Sequence, residues 1–236
     1  MGHEGATGPQ EPGEPIRVRA GLHLLVDGHL NPLLFTPTWF LREGLLRKEE
    51  VEIARETQSA DSSFLAFNTS DFSLVVSLDS LEIFSNNEGM EPVIRDLMLN
   101  VFTLLRHTPL STLTISRSAH LADATEPAHG PVWSRLLPLA PFEPILGKVA
   151  VADISIQGSA GPIPENSRVT MSIQPSKVQG ATLFVECRYA YRLPSDEQAS
   201  GADALGDLLR SAMEITKFHS DDAVNHISQT LLSKSA

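Results

Sequence analysis

Between Leu22 and Leu30 the chain alternates: Leu22, Leu24, Val26 and Leu30 fall on one side, and His23, Leu25, Asp27 and His29 on the other. A period of two predicts a strand with one buried face. In "TPTWFLREGLL" Thr36 is placed to cap a short helix, with Pro37 at its first position and Gly44 weakening its end. "EEVEIARE" sets Val51 and Ile53 between glutamates and reads as an edge strand. The apolar runs "SFLAFN", "FSLVVSL" and "SLEIFSN" are separated only by short polar breaks, a spacing that fits tight hairpins between antiparallel neighbours.

The period then changes. In "EGMEPVIRDLMLNVFTLLRH" the residues Met90, Val93, Ile94, Leu97, Met98, Val101, Phe102, Leu104 and Leu105 recur at steps of three and four. They predict an amphipathic helix that Pro109 stops. "STLTISRSAHL" returns to alternation, with Leu113, Ile115, Arg117 and Ala119 on the inward side and Ser118 and His120 on the other. Pro131, Pro138, Pro141 and Pro144 then leave room for one short helix, near Val132–Leu137. Strands are expected over 148–157, 167–175 and 182–193, a helix over 203–217, and a separate last helix capped by Ser220.

Runs of strands followed by a helix point to an α+β fold, with antiparallel sheet covered by long amphipathic helices. The order of elements suggests two pseudo-repeated βββα halves, at 16–128 and 129–236, within one compact unit. Residues 1–15, rich in Gly, Pro and Glu, read as a disordered lead.

Composition narrows the classes. The net charge of −11 argues against a nucleic-acid surface, which needs clustered Lys and Arg. No apolar run approaches the length of a membrane span, and the first residues have neither the basic nor the apolar part of a secretory signal. Ala6 stands where the myristoylation pattern after Met-Gly needs Ser or Thr. The single cysteine, Cys187, excludes an internal disulfide and alternates onto the apolar side of its strand. A cytoplasmic protein is therefore expected.

Catalytic signatures are sparse. GxxxxGK[ST], GxGxxG and GxSxG are missing from the sequence. Ser118 and His120, two apart on a strand, place their side chains about 7 Å apart, too far for a direct nucleophile–base hydrogen bond. Arg117 and His120 are the catalytic candidates, although they point to opposite faces of the strand. His23, Asp27 and His29 share a predicted strand face and are the metal-ligand candidates; His219, Asp222 and His226 form a looser group. None of these matches a dense signature such as HExxH, so no cofactor or metal is expected. Trp39, Phe40, Trp133 and Phe142 read as core anchors of short helices.

The segment with Phe35, Pro37, Trp39 and Phe40 is followed by His107-Thr108-Pro109-Leu110, then by Ile115, Arg117 and His120, and then by Trp133. In this order it resembles a sporadically distributed group of bacterial proteins of similar length without an assigned activity. The resemblance implies a bacterial origin and a shared architecture, over most of residues 20–160. The expected function is that of a non-catalytic binding or adaptor subunit in a multi-protein assembly. Its expected partner is protein, a second copy included, and neither nucleic acid nor membrane. Defence or toxin immunity is the setting that the resemblance suggests. The alternatives are a hydrolase using the histidine or arginine candidates, and a module that binds a small ligand between sheet and helix.

Overall fold

A computed structural model describes residues 16–87, 89–122, 137, 140–146, 151–159, 167–178, 181, 183–194 and 201–232. The expected N-terminal lead, Trp133 and all of the Val132–Leu137 helix except Leu137 lie outside them.

The described residues form one nine-stranded sheet in which every pairing is antiparallel. The strands are β1 (Ile16–Gly28), β2 (Ser59–Ala60), β3 (Phe64–Asn68), β4 (Ser73–Ser77), β5 (Ser80–Ser85), β6 (Leu110–Ala122), β7 (Ile154–Gly158), β8 (Ser167–Pro175) and β9 (Leu183–Arg192). The helices are α1 (Pro37–Arg42), α2 (Lys48–Thr57), α3 (Glu91–Leu104), α4 (Glu143–Leu146) and α5 (Gly201–Leu232), with a 3-10 turn at Pro32–Leu34. The protein is thus the expected mixed α+β fold, an antiparallel sheet flanked by helices.

Strand order explains the repeated order of elements. Across the sheet it runs β2-β3-β4-β5-β1-β6-β9-β8-β7. The central pair, β1 and β6, is flanked by the meander β5-β4-β3 on one side and β9-β8-β7 on the other. Along the chain, each set starts with its central strand and ends with its meander and a long helix, α3 and then α5; the 3-10 turn, α1, α2 and β2 intervene in the first set and α4 in the second. One core spans both sets, from Leu22 and Leu24 of β1 through Ile94 and Phe102 of α3 to Leu205 and Leu209 of α5.

Three local features set the geometry. Thr36 caps α1 as expected, its Oγ1 accepting from the Trp39 N–H at 3.3 Å. Gly28, where β1 shifts register against β6, has no room for a side chain: a Cβ there would run into the Pro109 carbonyl oxygen. That close approach lets the exit of α3 lie against the end of β1, with the His29 N–H donating to the same carbonyl at 3.0 Å.

Several expectations are corrected. Phe142 is 44% exposed and is not a core anchor, and a short helix stands at Glu143–Leu146, outside the expected Val132–Leu137. "EEVEIARE" is helix, not edge strand: Val51 and Ala54 are buried three residues apart while Ile53 is exposed. Glu50 starts that helix by accepting from the Arg47 N–H at 2.8 Å. The two expected C-terminal helices are one helix of 32 residues, α5. Ser220 is not its cap; buried in mid-helix, its hydroxyl donates back to the Lys217 carbonyl at 2.9 Å.

Candidate functional site

Arg117 is the polar residue that the sequence leaves facing the core. Its register partners are Leu22 on β1 and Cys187 on β9, so it stands among the central strands on the helix-covered face. The first turn of α3 brings Glu91 to it. Arg117 Nη2 donates to Glu91 Oε1 at 2.7 Å and Nη1 donates to Oε2 at 3.0 Å, a two-pronged pair. From α5, the Met213 carbonyl accepts from Nη2 at 2.6 Å and Thr216 Oγ1 accepts from Nε at 3.1 Å. The Thr216 hydroxyl in turn donates to the Met213 carbonyl at 3.1 Å.

The two charged side chains are only 11% and 21% exposed. A charge this deep is tolerated where partners replace its water, and Arg117 has four such bonds. The result joins three elements at one point: β6, the start of α3 and the middle of α5.

Beside this cluster lies a cleft of about 310 Å³, lined by Leu22, Met90, Glu91, Arg117, Ser118 and Lys217 among others. Its charges are matched: Arg17 meets Asp221 at 2.8 Å at the rim, and Lys217 Nζ lies 4.0 Å from Glu91 Oε2. A guanidinium offers donors only, and both Glu91 oxygens are engaged by Arg117. This geometry fits holding the helices on the sheet better than moving a proton.

The other predicted residues are scattered. His120 faces away from Arg117; its Nδ1 lies 2.9 Å from Ser176 Oγ and its ring rests on Phe184. Burial, and then the charge of Arg19, hold its imidazole below the ordinary histidine range. His23 pairs with Glu82 at 3.1 Å, while His29 lies beyond the end of β1 and is exposed. His23, Asp27 and His29 therefore do not meet as ligands. Among the described residues no group of three His, Cys, Asp or Glu side chains could hold a metal ion. His219 Nδ1 instead sits 2.8 Å from the hydroxyl of the buried Tyr189. Cys187 is buried as expected, its thiol pushed up to about 11 mainly by that burial, which keeps it protonated and inert at neutral pH.

Asp27 gives a pH-dependent expectation. Its carboxyl is raised above the ordinary carboxylate range, first by burial and then by the charge of Glu82. The folded chain therefore holds the Asp27 proton more tightly than the unfolded chain does. Stability from this residue is greatest below the unfolded-state value and is lost as pH rises through the folded-state value. Asp27→Asn is expected to raise the melting temperature at pH 7, and the gain should shrink to nothing in strong acid. A melting series against pH for both proteins checks this.

A second concavity, of about 420 Å³, lies at the other end of α3. The Asn31 side chain accepts from the Leu33 N–H at 3.2 Å and opens the 3-10 turn with Pro32 at its start. That turn sets Phe35 in the core and leaves Leu34 outward. At the helix exit the Thr108 N–H donates to the Leu105 carbonyl at 2.9 Å, which places Leu104 opposite. Leu30 and Phe35 are buried at the base, while Leu34 and Leu104 remain 45% and 49% exposed. His29 and His107 stand among the lining residues.

No protein-family model matches the chain, and no curated protein matches it. No described helix is long and apolar enough to cross a membrane.

Sequence reasoning did not find Glu91, which lies 26 residues from Arg117 in the first turn of α3, where the helix dipole favours an acid in any case. Leu34 and Leu104 were equally hidden. Leu104 belongs to the apolar stripe expected for α3, yet it stands 49% exposed.

Proposed function

We propose that this chain works by binding a protein partner, as a subunit or adaptor of an assembly, and not by catalysing a reaction. The observation that supports this is the groove between the 3-10 turn and the end of α3, with half-exposed Leu34 and Leu104 above a buried apolar base. Paired exposed leucines at a concavity are what an apolar anchor from a partner fills, and such anchors carry much of an interface's energy. With a net charge of −11, the chain favours a partner whose anchor is set among basic residues. Defence or toxin immunity is the setting in which we place it, on the resemblance.

The test compares three baits in lysate of the source bacterium: the intact chain, Leu34→Asp with Leu104→Asp, and Val93→Asp. Val93 is exposed to the same 49% as Leu104 and lies eleven residues away on the same helix, roughly 16 Å along its axis. Substitutions at such exposed sites change stability little, within about 0.5 kcal/mol. A protein retained by the intact chain and by Val93→Asp, but lost at least about tenfold by the double variant, is the expected result, a tenfold loss being about 1.4 kcal/mol of binding. Identical retention by all three would overturn the reading.

A further inference from the structure

The two ends of the sheet are finished differently. At one end β2 is only two residues long. Beside it, β3 ends on Asn68, whose N–H donates to Thr57 Oγ1 at 2.8 Å and whose carbonyl accepts from the same hydroxyl at 3.0 Å. The last turn of α2 thus occupies that backbone. At the opposite end β7 has β8 on one side and, among the described residues, no strand on the other. Residues 155–159 are all exposed, and a Cβ added to Gly158 would meet nothing within 4 Å.

Sheet edges left to solvent are normally blunted by a lysine, a proline or a bulge. Ile154–Gly158 contains no charge and no proline, and it follows β8 in unbroken register from Ile154↔Ile173 to Gly158↔Val169. Ile156, opposite Met171 on the side of the sheet that carries the helices, is 57% exposed.

We propose that β7 is a dimerisation edge, where two copies of this chain pair antiparallel about Ile156 and continue the sheet across a two-fold axis. An unpaired edge presents N–H and carbonyl groups whose complement is another strand edge. The β7 sequence is complementary to itself in this arrangement. Ile156 faces Ile156, Ser155 faces Gln157, and Ile154 faces Gly158, so the apolar side meets the apolar side. Asp153 falls opposite Ser159, and no like charges are opposed although each copy carries −11. Pairing also covers the isoleucine surface that a single copy leaves in water. A two-strand seam is small by the standard of obligate dimers, so the association depends on protein concentration.

Sedimentation of the full chain over a concentration series tests this. A dimer that grows with concentration is expected, and Ile156→Lys should weaken it at least about tenfold with an unchanged circular dichroism spectrum, which corresponds to about 1.4 kcal/mol. Register is read by cross-linking. Directly opposed residues in an antiparallel pair have Cα atoms about 4.5–5.5 Å apart, within reach of a disulfide. Under oxidation Ile156→Cys should give a covalent dimer and Ser155→Cys, which faces position 157, should not; the buried Cys187 contributes no background. The proposal is overturned by a chain that stays monomeric at every concentration, by a dimer indifferent to Ile156→Lys, or by Ser155→Cys cross-linking as readily as Ile156→Cys.

Discussion

Arg117→Ala is expected to lower the unfolding free energy by about 3 kcal/mol, the lower end of the cost of breaking a buried ion pair. For a chain of this size, that corresponds to a fall in melting temperature of roughly 6–12 °C. The lower end applies because Glu91, 21% exposed, recovers some water and keeps Lys217 at 4.0 Å. Glu91→Ala should cost at least as much, since it strands the guanidinium, which is only 11% exposed. Arg117→Lys should fall between the intact chain and Arg117→Ala, because an ammonium cannot reproduce the two-pronged pairing with Glu91. Urea titrations of the four proteins give this order directly. Equal stability of Arg117→Ala and the intact chain would mean that the cluster does not hold the helices in place.

Phe40→Ala carries an expected cost of about 3–5 kcal/mol, the range for deleting a fully buried aromatic ring. Phe40 has no exposed surface, and its ring lies 5.0 Å from that of Trp39, 5.6 Å from Phe67 and 6.5 Å from Phe35. It ties α1 to β3 and supports the neighbour of Phe35, which forms the base of the groove. The substitution should therefore also abolish capture of a partner, whereas Phe40→Leu should keep most of both. Chemical denaturation measures the first effect, and the comparison of baits measures the second. A Phe40→Ala protein that is destabilised by less than about 1 kcal/mol would show that the core closes over the missing ring.

The parts of this fold legible in the sequence are those where burial follows a simple period. β1 and β9 alternate cleanly because each is covered on one face only over most of its length, whereas β6 is buried on both faces from Leu113 to Ser116 and keeps its period in the sequence alone. Thr36 and Pro37 announce α1 because a cap is a local matter between neighbours in sequence. α2 was misread because two apolar residues, Val51 and Ile53, suffice to imitate a period of two. The helix is decided instead by Val51 with Ala54 and by the Glu50 carboxylate reaching back to the Arg47 N–H. In α5, "HSDDA" imitates a start signal, yet no glycine or proline breaks the chain there. The inward stripe continues through Thr216, Ser220 and Val224 at four-residue steps. Small hydroxyl residues turned inward can extend a stripe that hydrophobicity alone sees as interrupted.

The site was half legible. That Arg117 points inward follows from the alternation of β6, and an inward arginine demands an acceptor. That the acceptor is Glu91 depends on β6 lying beside β1 and on α3 starting above that pair, which are long-range facts of topology. The groove is harder still, since exposure at Leu34 and Leu104 is defined by what the fold fails to cover.

The account turns on the Arg117 cluster being a clamp between sheet and helices, with function left to the surfaces that it positions. A double-mutant cycle with Arg117→Met and Glu91→Gln, read by urea denaturation, tests this most directly. The account predicts a favourable coupling of about 2 kcal/mol between the two side chains, as expected for a shielded, two-pronged pair. A coupling indistinguishable from zero would contradict it.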